Sequence, residues 1–123
     1  CDAAVQAIKA VDDVITPFPG GVARSGSKVG SKYKALRAST NDTFCPLLSH
    51  KPGSLIDARC TAALELVIDG LTAHAVAQAM RVGILAACEV GPKCGVRSIT
   101  GGNYGGKLGR HHFHLRSLLQ DRL

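Results

Sequence analysis

Two stretches with helical spacing of apolar residues constrain most strongly what this chain can fold into. The first predicts an amphipathic helix over residues 2–12, with its apolar side chains on one face. A second helix is predicted to begin at Thr72 as its N-cap and to end near Cys88, before a Gly-Pro pair. The stripe that this second helix should bury has four members: Val76, Met80, Ile84 and Ala87.

The segments around these helices have strand character. A strand interrupted by turns is predicted over Pro17–Ser31, and the clearest strand is Arg59–Gly70. Further strands are predicted at Val96–Thr100 and Arg110–Leu118. The order helix, strand, strand, helix, strand is what remains of a β-α-β-β-α-β unit without its first strand. The sequence therefore predicts an α+β fold, a ferredoxin-like sandwich with an antiparallel sheet whose opening strand is absent.

The net charge and the positions of the charged residues indicate which kinds of partner the chain can bind. The 123 residues include 15 Lys plus Arg against 9 Asp plus Glu, a formal net charge of +6 that suits an anionic ligand. Single-stranded nucleic-acid sites need aromatic stacking platforms, and Tyr33 and Tyr104 are the only tyrosines, so no nucleic-acid partner is expected. Apolar runs are far shorter than the ~20 residues that span a bilayer, and no membrane partner is expected either. The basic residues form two clusters: Arg24, Lys28, Lys32, Lys34 and Arg37, and Lys107, Arg110, His111, His112, His114 and Arg116.

Cysteine and histidine spacing does not predict a metal site. The five cysteines are odd in number and irregularly spaced, which favours free thiols in a reducing compartment. Cys60 and Cys88 are expected in the core, whereas Cys45, in a polar loop, is a weak nucleophile candidate. His112 and His114 would share a strand face, but two imidazoles hold zinc only with a third ligand, and neighbouring arginines disfavour a cation.

Glu65 is the most informative single residue. Alternation along its strand places it on one face with Ala63 and Val67, among apolar neighbours. Desolvation there would raise the pKa of the carboxyl and make it a proton donor or acceptor near neutrality. The alternative is an exposed strand glutamate, paired with a lysine on the next strand.

A glycine loop offers a place for a ligand to approach the backbone. The string ITGGNYGGKLG nearly spells a phosphate-binding loop, but Leu108 stands where that motif needs Ser or Thr, so a nucleoside triphosphatase is rejected. Asn103 and Lys107 could still supply an amide and a cation to a ligand. The alternative is a simple turn between two strands.

Two further loops have polar side chains suited to anions or heterocycles. Lys28 and Lys32 lie four apart in SGSKVGSKY, where anion binding or simple solvation is expected. Asn41 belongs to the polar string STNDTFCP. Such a cluster either braces its own loop through backbone hydrogen bonds or presents donors to a polar heterocycle.

Taken in order, five segments resemble one enzyme family. They are PFPGGVARSGSKVGSKY, ASTNDTFCP, LELVIDGL, AMRVGILAAC and ITGGNYGGKLG followed by an HL-containing end. In this order they look like the C-terminal half of formylmethanofuran:tetrahydromethanopterin formyltransferase. The resemblance implies that residues 1–123 are the C-terminal, distal ferredoxin-like lobe and that the N-terminal lobe is not present.

The resemblance also implies a function. Members of the family are cytoplasmic homodimers or tetramers that move a formyl group between methanofuran and N5 of tetrahydromethanopterin in one-carbon metabolism. They use no tightly bound cofactor or metal, and these two carriers are their substrates. The family's catalytic carboxylate falls on Glu65. Residues that match the family and are assigned to substrate contacts by their chemistry are Lys28, Lys32, Asn41, Asn103 and Lys107.

The basic loops and C-terminal end are more typical of a bacterial member, which resembles a subunit of a larger formyltransferase/hydrolase complex. Without an N-terminal lobe, half of each cleft between subunits would be missing, so the isolated piece is expected to be inactive. The alternative is a non-enzymatic ferredoxin-like module for oligomerisation or for binding an anionic ligand.

Overall fold

The computed structural model describes residues 1–24, 54–57, 59–101 and 109–120. The chain divides into two compact units, which we call the first unit (Cys1–Val22 with Leu66–Leu123) and the second unit (Ala23–Glu65). The described helices and strands are α1 (Asp2–Lys9), β1 (Val14–Ile15), β2 (Val22–Arg24), β3 (Leu64–Leu66), β4 (Asp69–Gly70), α2 (Ala73–Cys94) and α3 (Leu115–Gln120). A short 3₁₀ turn, Pro19–Gly21, precedes β2.

The two helices predicted from apolar spacing are present, and their packing forms the core of the first unit. α1 buries the side chains Ala4, Val5 and Ile8. α2 begins after Thr72, whose hydroxyl oxygen accepts a hydrogen bond from the Ala75 amide at 3.0 Å, which confirms the predicted N-cap.

The stripe predicted to be buried on α2 is wrong, and three of its four members lie one residue after a buried position. Val76, Met80, Ile84 and Ala87 are half-buried, and the fully buried positions are Ala75, Ala79, Gly83 and Gly91. At Gly83 the absence of a side chain lets α1 approach closely, since a methyl group built there would lie 2.9 Å from Cδ1 of Ile8, whereas Gly91 packs against Val96. Close contact of the two helices thus decides the orientation of α2.

α2 is also longer than its sequence predicts. It continues to Cys94, with Pro92 in its last turn, instead of ending near Cys88. Gly95 ends the helix in the left-handed conformation (φ 77°), and its amide donates to the Gly91 carbonyl. The glycine cap, not the proline, therefore fixes the end of the helix.

Among the described residues, two small two-stranded sheets accompany the helices. β1 and β4 pair antiparallel, with Val14 opposite Gly70 and Ile15 opposite Asp69. β2 and β3 pair with each other in the second sheet. The single strand predicted over Arg59–Gly70 is therefore replaced by two short strands, β3 and β4.

The C-terminal part differs most from its predicted structure. Residues 96–100 have no regular structure, and the strand predicted at Arg110–Leu118 is wrong because α3 begins at Leu115. Leu115, Leu118 and Leu119 recur at helical spacing, and the alternation of the preceding histidine run conceals that pattern. The described residues thus form an α+β fold with small sheets.

Three thiol and imidazole predictions are also corrected. Cys60 is half-buried and Cys88 is exposed, so neither is a core residue. His112 and His114 are exposed in a segment without regular structure, not on a strand face. Cys45 lies outside the described residues. No helix in the described ranges is long and apolar enough to cross a membrane.

Candidate functional site

Glu65, the predicted catalytic carboxylate, occupies the middle of β3 in the second unit. Its side chain is half-buried, whereas the preceding Leu64 on the opposite face of the strand is 51% exposed. Glu65 therefore lies between the two alternatives left open by the sequence, neither fully solvated nor fully enclosed. A carboxylate in this position is accessible to a reacting molecule while part of its surface is shielded from water.

The strand paired with β3 carries a cation. Arg24 ends β2 and is exposed, so the small sheet presents both a carboxylate and a guanidinium. The sequence places Arg24 in the first basic cluster but does not assign it to the site. Pairing of β2 with β3 joins segments 40 residues apart, and no local sequence signal identifies it.

A charged turn precedes β3 in the second unit. The guanidinium of Arg59 donates to both carboxylate oxygens of Asp57, from Nη2 to Oδ2 at 2.8 Å and from Nε to Oδ1 at 3.1 Å. The Arg59 amide also donates to Oδ1 at 2.8 Å, and the amide of Cys60 donates to the Asp57 carbonyl at 2.9 Å. The hydrogen bond and charge of Asp57 raise the pKa of Arg59 above its ordinary value.

This turn fixes the backbone a few residues before the Glu65 strand. The forked, two-bond geometry is the strong form of an Arg–carboxylate contact, but both groups are solvated, so its contribution to stability is small. Sequence reasoning missed it, although opposite charges two residues apart in a turn are a usable signal.

The sequence assigns five residues to substrate contacts. Lys28, Lys32, Asn41, Asn103 and Lys107 all lie outside the described residues. Of the predicted site, the structure therefore positions Glu65 alone, and it adds Arg24 and the Asp57–Arg59 turn in the second unit.

A separate groove lies in the first unit, between the C-terminal half of α2, residues 96–99 and α3. Its volume is about 460 Å³, and we call it the α2–α3 groove. Apolar side chains and two arginines line it: Ile84, Val96, Ile99, Leu119, Arg97 and Arg116. The predicted site does not include these residues.

Comparison with known proteins gives the family. A family model described as FTR, proximal lobe, matches residues 1–118. The chain belongs to the FTR family. The description names the proximal lobe of FTR, which disagrees with the distal lobe expected from the sequence.

FTR relatives match nearly all of this chain but only part of their own length. A formylmethanofuran–tetrahydromethanopterin formyltransferase of Rhodopirellula baltica is 58% identical over 119 residues, which are 97% of this chain and 36% of that protein.

Two solved structures are also similar. The formyltransferase/hydrolase complex (FhcABCD) of Methylorubrum extorquens with methylofuran gives a TM-score of 0.83 and 53% identity, covering 97% of this chain and 39% of that chain. The formylmethanofuran:tetrahydromethanopterin formyltransferase of Methanosarcina barkeri gives a TM-score of 0.76 and 44% identity, covering 95% of this chain and 39% of that chain. The chain thus spans about two fifths of the length of its FTR relatives.

Proposed function

We propose that the full-length protein transfers a formyl group between formylmethanofuran and N5 of tetrahydromethanopterin. The observation that carries this proposal is the 58% identity, over 97% of the chain, to a formyltransferase with those two carriers in its name. A half-buried strand glutamate is the kind of group that such a reaction needs, because the transfer moves one proton between two amines.

We assign this proton transfer to Glu65. The N5 amine of the pterin attacks the formyl carbon, and a tetrahedral intermediate with an oxyanion forms. Glu65, starting as a carboxylate, accepts the proton of the attacking nitrogen and passes it to the methanofuran nitrogen as the old carbon–nitrogen bond breaks. The carboxylate is regenerated, and polar donors stabilise the oxyanion during the transfer.

We assign the basic loops to binding of the two carriers. Methanofuran has carboxylates, and tetrahydromethanopterin has a phosphate and a carboxylate, so cationic contacts favour both. The proposed substrate contacts are Lys28, Lys32, Asn41, Asn103 and Lys107. The net charge of +6 supports this assignment.

We also propose that this chain is one ferredoxin-like lobe of a larger enzyme. The succession of α1, paired strands and α2 supports that architecture. The parent enzyme is proposed to be a homodimer or tetramer, working with other subunits of a formyltransferase/hydrolase complex like that of M. extorquens. Its mechanism uses no tightly bound cofactor, and its location in the cytoplasm stays an expectation from the family resemblance.

The direct test is a transfer assay with purified carriers. Full-length protein, incubated with formylmethanofuran and tetrahydromethanopterin, is expected to form the N5-formyl product, whereas the 123-residue chain alone is expected to form none. Absence of product from the folded full-length protein would contradict the proposal. If that inactive protein still self-associated, the non-enzymatic oligomerisation module would be the better account.

A further inference from the structure

Two glycines lie close to the helices of the first unit, one before the strand pair that carries Glu65 and one after it. The chain leaves the first unit after Val22, in β2, and returns to it at Leu66, which follows Glu65 in β3. Gly21 comes directly before β2, and Gly70 is the last residue of β4. Because β2 and β3 pair with each other, the backbone of Glu65 is held through both strands.

Gly21 is seated on α1. Its backbone is left-handed (φ 81°), and a methyl group built on it would lie 2.7 Å from Cγ2 and 3.0 Å from Cγ1 of Val5. Val5 is 3% exposed, and a β-branched side chain in a helix strongly prefers one rotamer, so it has little freedom to turn away. The amide of Gly21 also donates to the Phe18 carbonyl at 2.8 Å. A glycine at this position therefore fixes where β2 begins on the helix.

Gly70 is seated on α2 in a similar way. A methyl group built on it would lie 2.5 Å from Cγ2 of Val76 and 3.2 Å from Cγ1 of Val14, its partner on β1. Val76 is also β-branched and helical, so it cannot turn aside freely. A methyl group at position 70 would have to move by about 1 Å to reach ordinary van der Waals contact with Val76, and β4 would move with it.

A short link joins β4 to the strand of Glu65. Only Val67 and Ile68 separate β3 from β4, and both are half-buried. Two residues of extended chain span about 7 Å at most, so the link has little slack and a displacement of β4 moves β3 with it. Proton transfer depends strongly on such distances, because a misplacement of about 1 Å can lower a rate ~10²-fold.

We propose that Gly21 and Gly70 are positioning residues for Glu65 in formyl transfer. The absence of a side chain at both positions lets the strands lie close to the helices. This sets the distance between the Glu65 carboxylate and the nitrogen whose proton it accepts. The inference rests on the proposed function, because it assigns a cause to the rate of that reaction. A purely structural role would lower stability without a selective loss of kcat.

Gly70→Ala in the full-length enzyme is the main test, because position 70 does not have the left-handed backbone of Gly21. Formation of the N5-formyl product from the two carriers is measured at steady state, and circular dichroism checks folding. We expect kcat to fall at least ~10-fold while KM for both carriers stays within about twofold. The matched control is Gly91→Ala, at a buried glycine of α2 that packs against Val96, and it should leave kcat unchanged.

Two further backgrounds test how Gly70 acts. In the Val76→Ala protein the clashing atom is absent, so adding Gly70→Ala should lower kcat by less than about threefold. In the Glu65→Gln protein the residual rate no longer depends on the carboxylate, so adding Gly70→Ala should again change it by less than about threefold. An effect of stability alone would not disappear in the second background.

Gly21→Ala is expected to lower kcat in the same way, with Gly20→Ala as its control. Both glycines have a left-handed backbone, but nothing lies within 4 Å of a methyl group built on Gly20, so only Gly21→Ala adds a clash. The control should keep the kcat of the wild type. If an alanine variant does not fold, one glycine inserted between Val67 and Ile68 replaces it. The insertion adds about 3.6 Å of slack without a clash and is also expected to lower kcat at least ~10-fold.

Three results would overturn the inference: an unchanged kcat in the glycine variants or the insertion variant, an equal loss in the controls, or a loss that persists in the Glu65→Gln background. A loss that Val76→Ala does not relieve would reject the contact with α2 as its cause. An active wild type with an equally active Gly70→Ala variant would reject the positioning role and leave the proposed function intact. A folded wild type that forms no product would reject both.

Discussion

The guanidinium of Arg81 on α2 donates from Nη1 to the backbone carbonyl of Leu118 on α3, at 2.7 Å. Leu118 lies in the last turn of α3, where carbonyl groups have no partner within the helix. Arg81 therefore caps the C-terminal helix and holds the buried Leu118 side chain against α2. A six-residue helix is marginal in isolation, so its position depends on this contact.

Arg81→Met is expected to release α3. The substitution keeps an apolar stem but removes the charged donor, and a hydrogen bond of that kind contributes about 1.5–3 kcal/mol. Hydrogen exchange should show faster exchange of the α3 amides, with little change in α1. Arg110→Met, an exposed arginine outside α3, serves as the control and should leave exchange in α3 unchanged.

Gly83→Ala is expected to destabilise the α1–α2 contact. Alanine improves helix propensity by up to ~1 kcal/mol, but its methyl group would lie 2.9 Å from Cδ1 of Ile8, which is 1% exposed and has little room to move. Overpacking of this kind costs about 1–3 kcal/mol, so the free energy of unfolding should fall.

The partner substitution Ile8→Val checks that cause. Alone it should cost about 0.5–1.5 kcal/mol, because it removes a buried methyl group. In the Gly83→Ala variant, Ile8→Val should lower the free energy of unfolding by less than it does alone, because it removes the atom against which the new methyl group clashes. Chemical denaturation of the wild type and the three variants gives the coupling energy, and strict additivity would reject the packing argument.

Thr72→Ala should weaken the start of α2. The lost hydrogen bond to the Ala75 amide corresponds to about 1 kcal/mol of unfolding free energy. Thr72→Ser keeps an oxygen at the same position and should stay within a few tenths of a kcal/mol of the wild type. Equal losses in the two variants, measured by thermal unfolding, would mean that the side-chain cap contributes nothing.

Local signals in the sequence predict the two main helices well. Apolar spacing identifies α1, and a threonine before an apolar run identifies the start of α2. These signals work because an amphipathic helix and its N-cap depend on residues within one or two turns. The resemblance to a formyltransferase family, based on five ordered segments, is likewise confirmed by the family match over residues 1–118.

Features that depend on tertiary contact are not predictable in the same way. The buried positions of α2 are alanine and glycine, with Ile8 of α1 packed against Gly83 and Val96 packed against Gly91, whereas a hydrophobicity ranking selects the larger neighbours. α3 is a helix because Leu118 and Arg81 join it to α2, although the preceding residues alternate like a strand. For the candidate site, sequence predicts the strand of Glu65, but Arg24 joins it only through strand pairing.

The central claim is that Glu65 moves the proton during formyl transfer, and one substitution tests it most directly. Glu65→Gln in the full-length enzyme keeps the size of the side chain and removes its basicity. We expect kcat to fall by ~10²-fold or more while KM for both carriers changes little.

The matched control is Glu89→Gln, which changes the one other glutamate of the chain, exposed on α2. It should leave kcat unchanged. The decisive measurement is the steady-state rate of N5-formyl product formation by the wild type and both variants. A large loss of kcat confined to Glu65→Gln is the predicted result, and an unchanged kcat in that variant would contradict the mechanism.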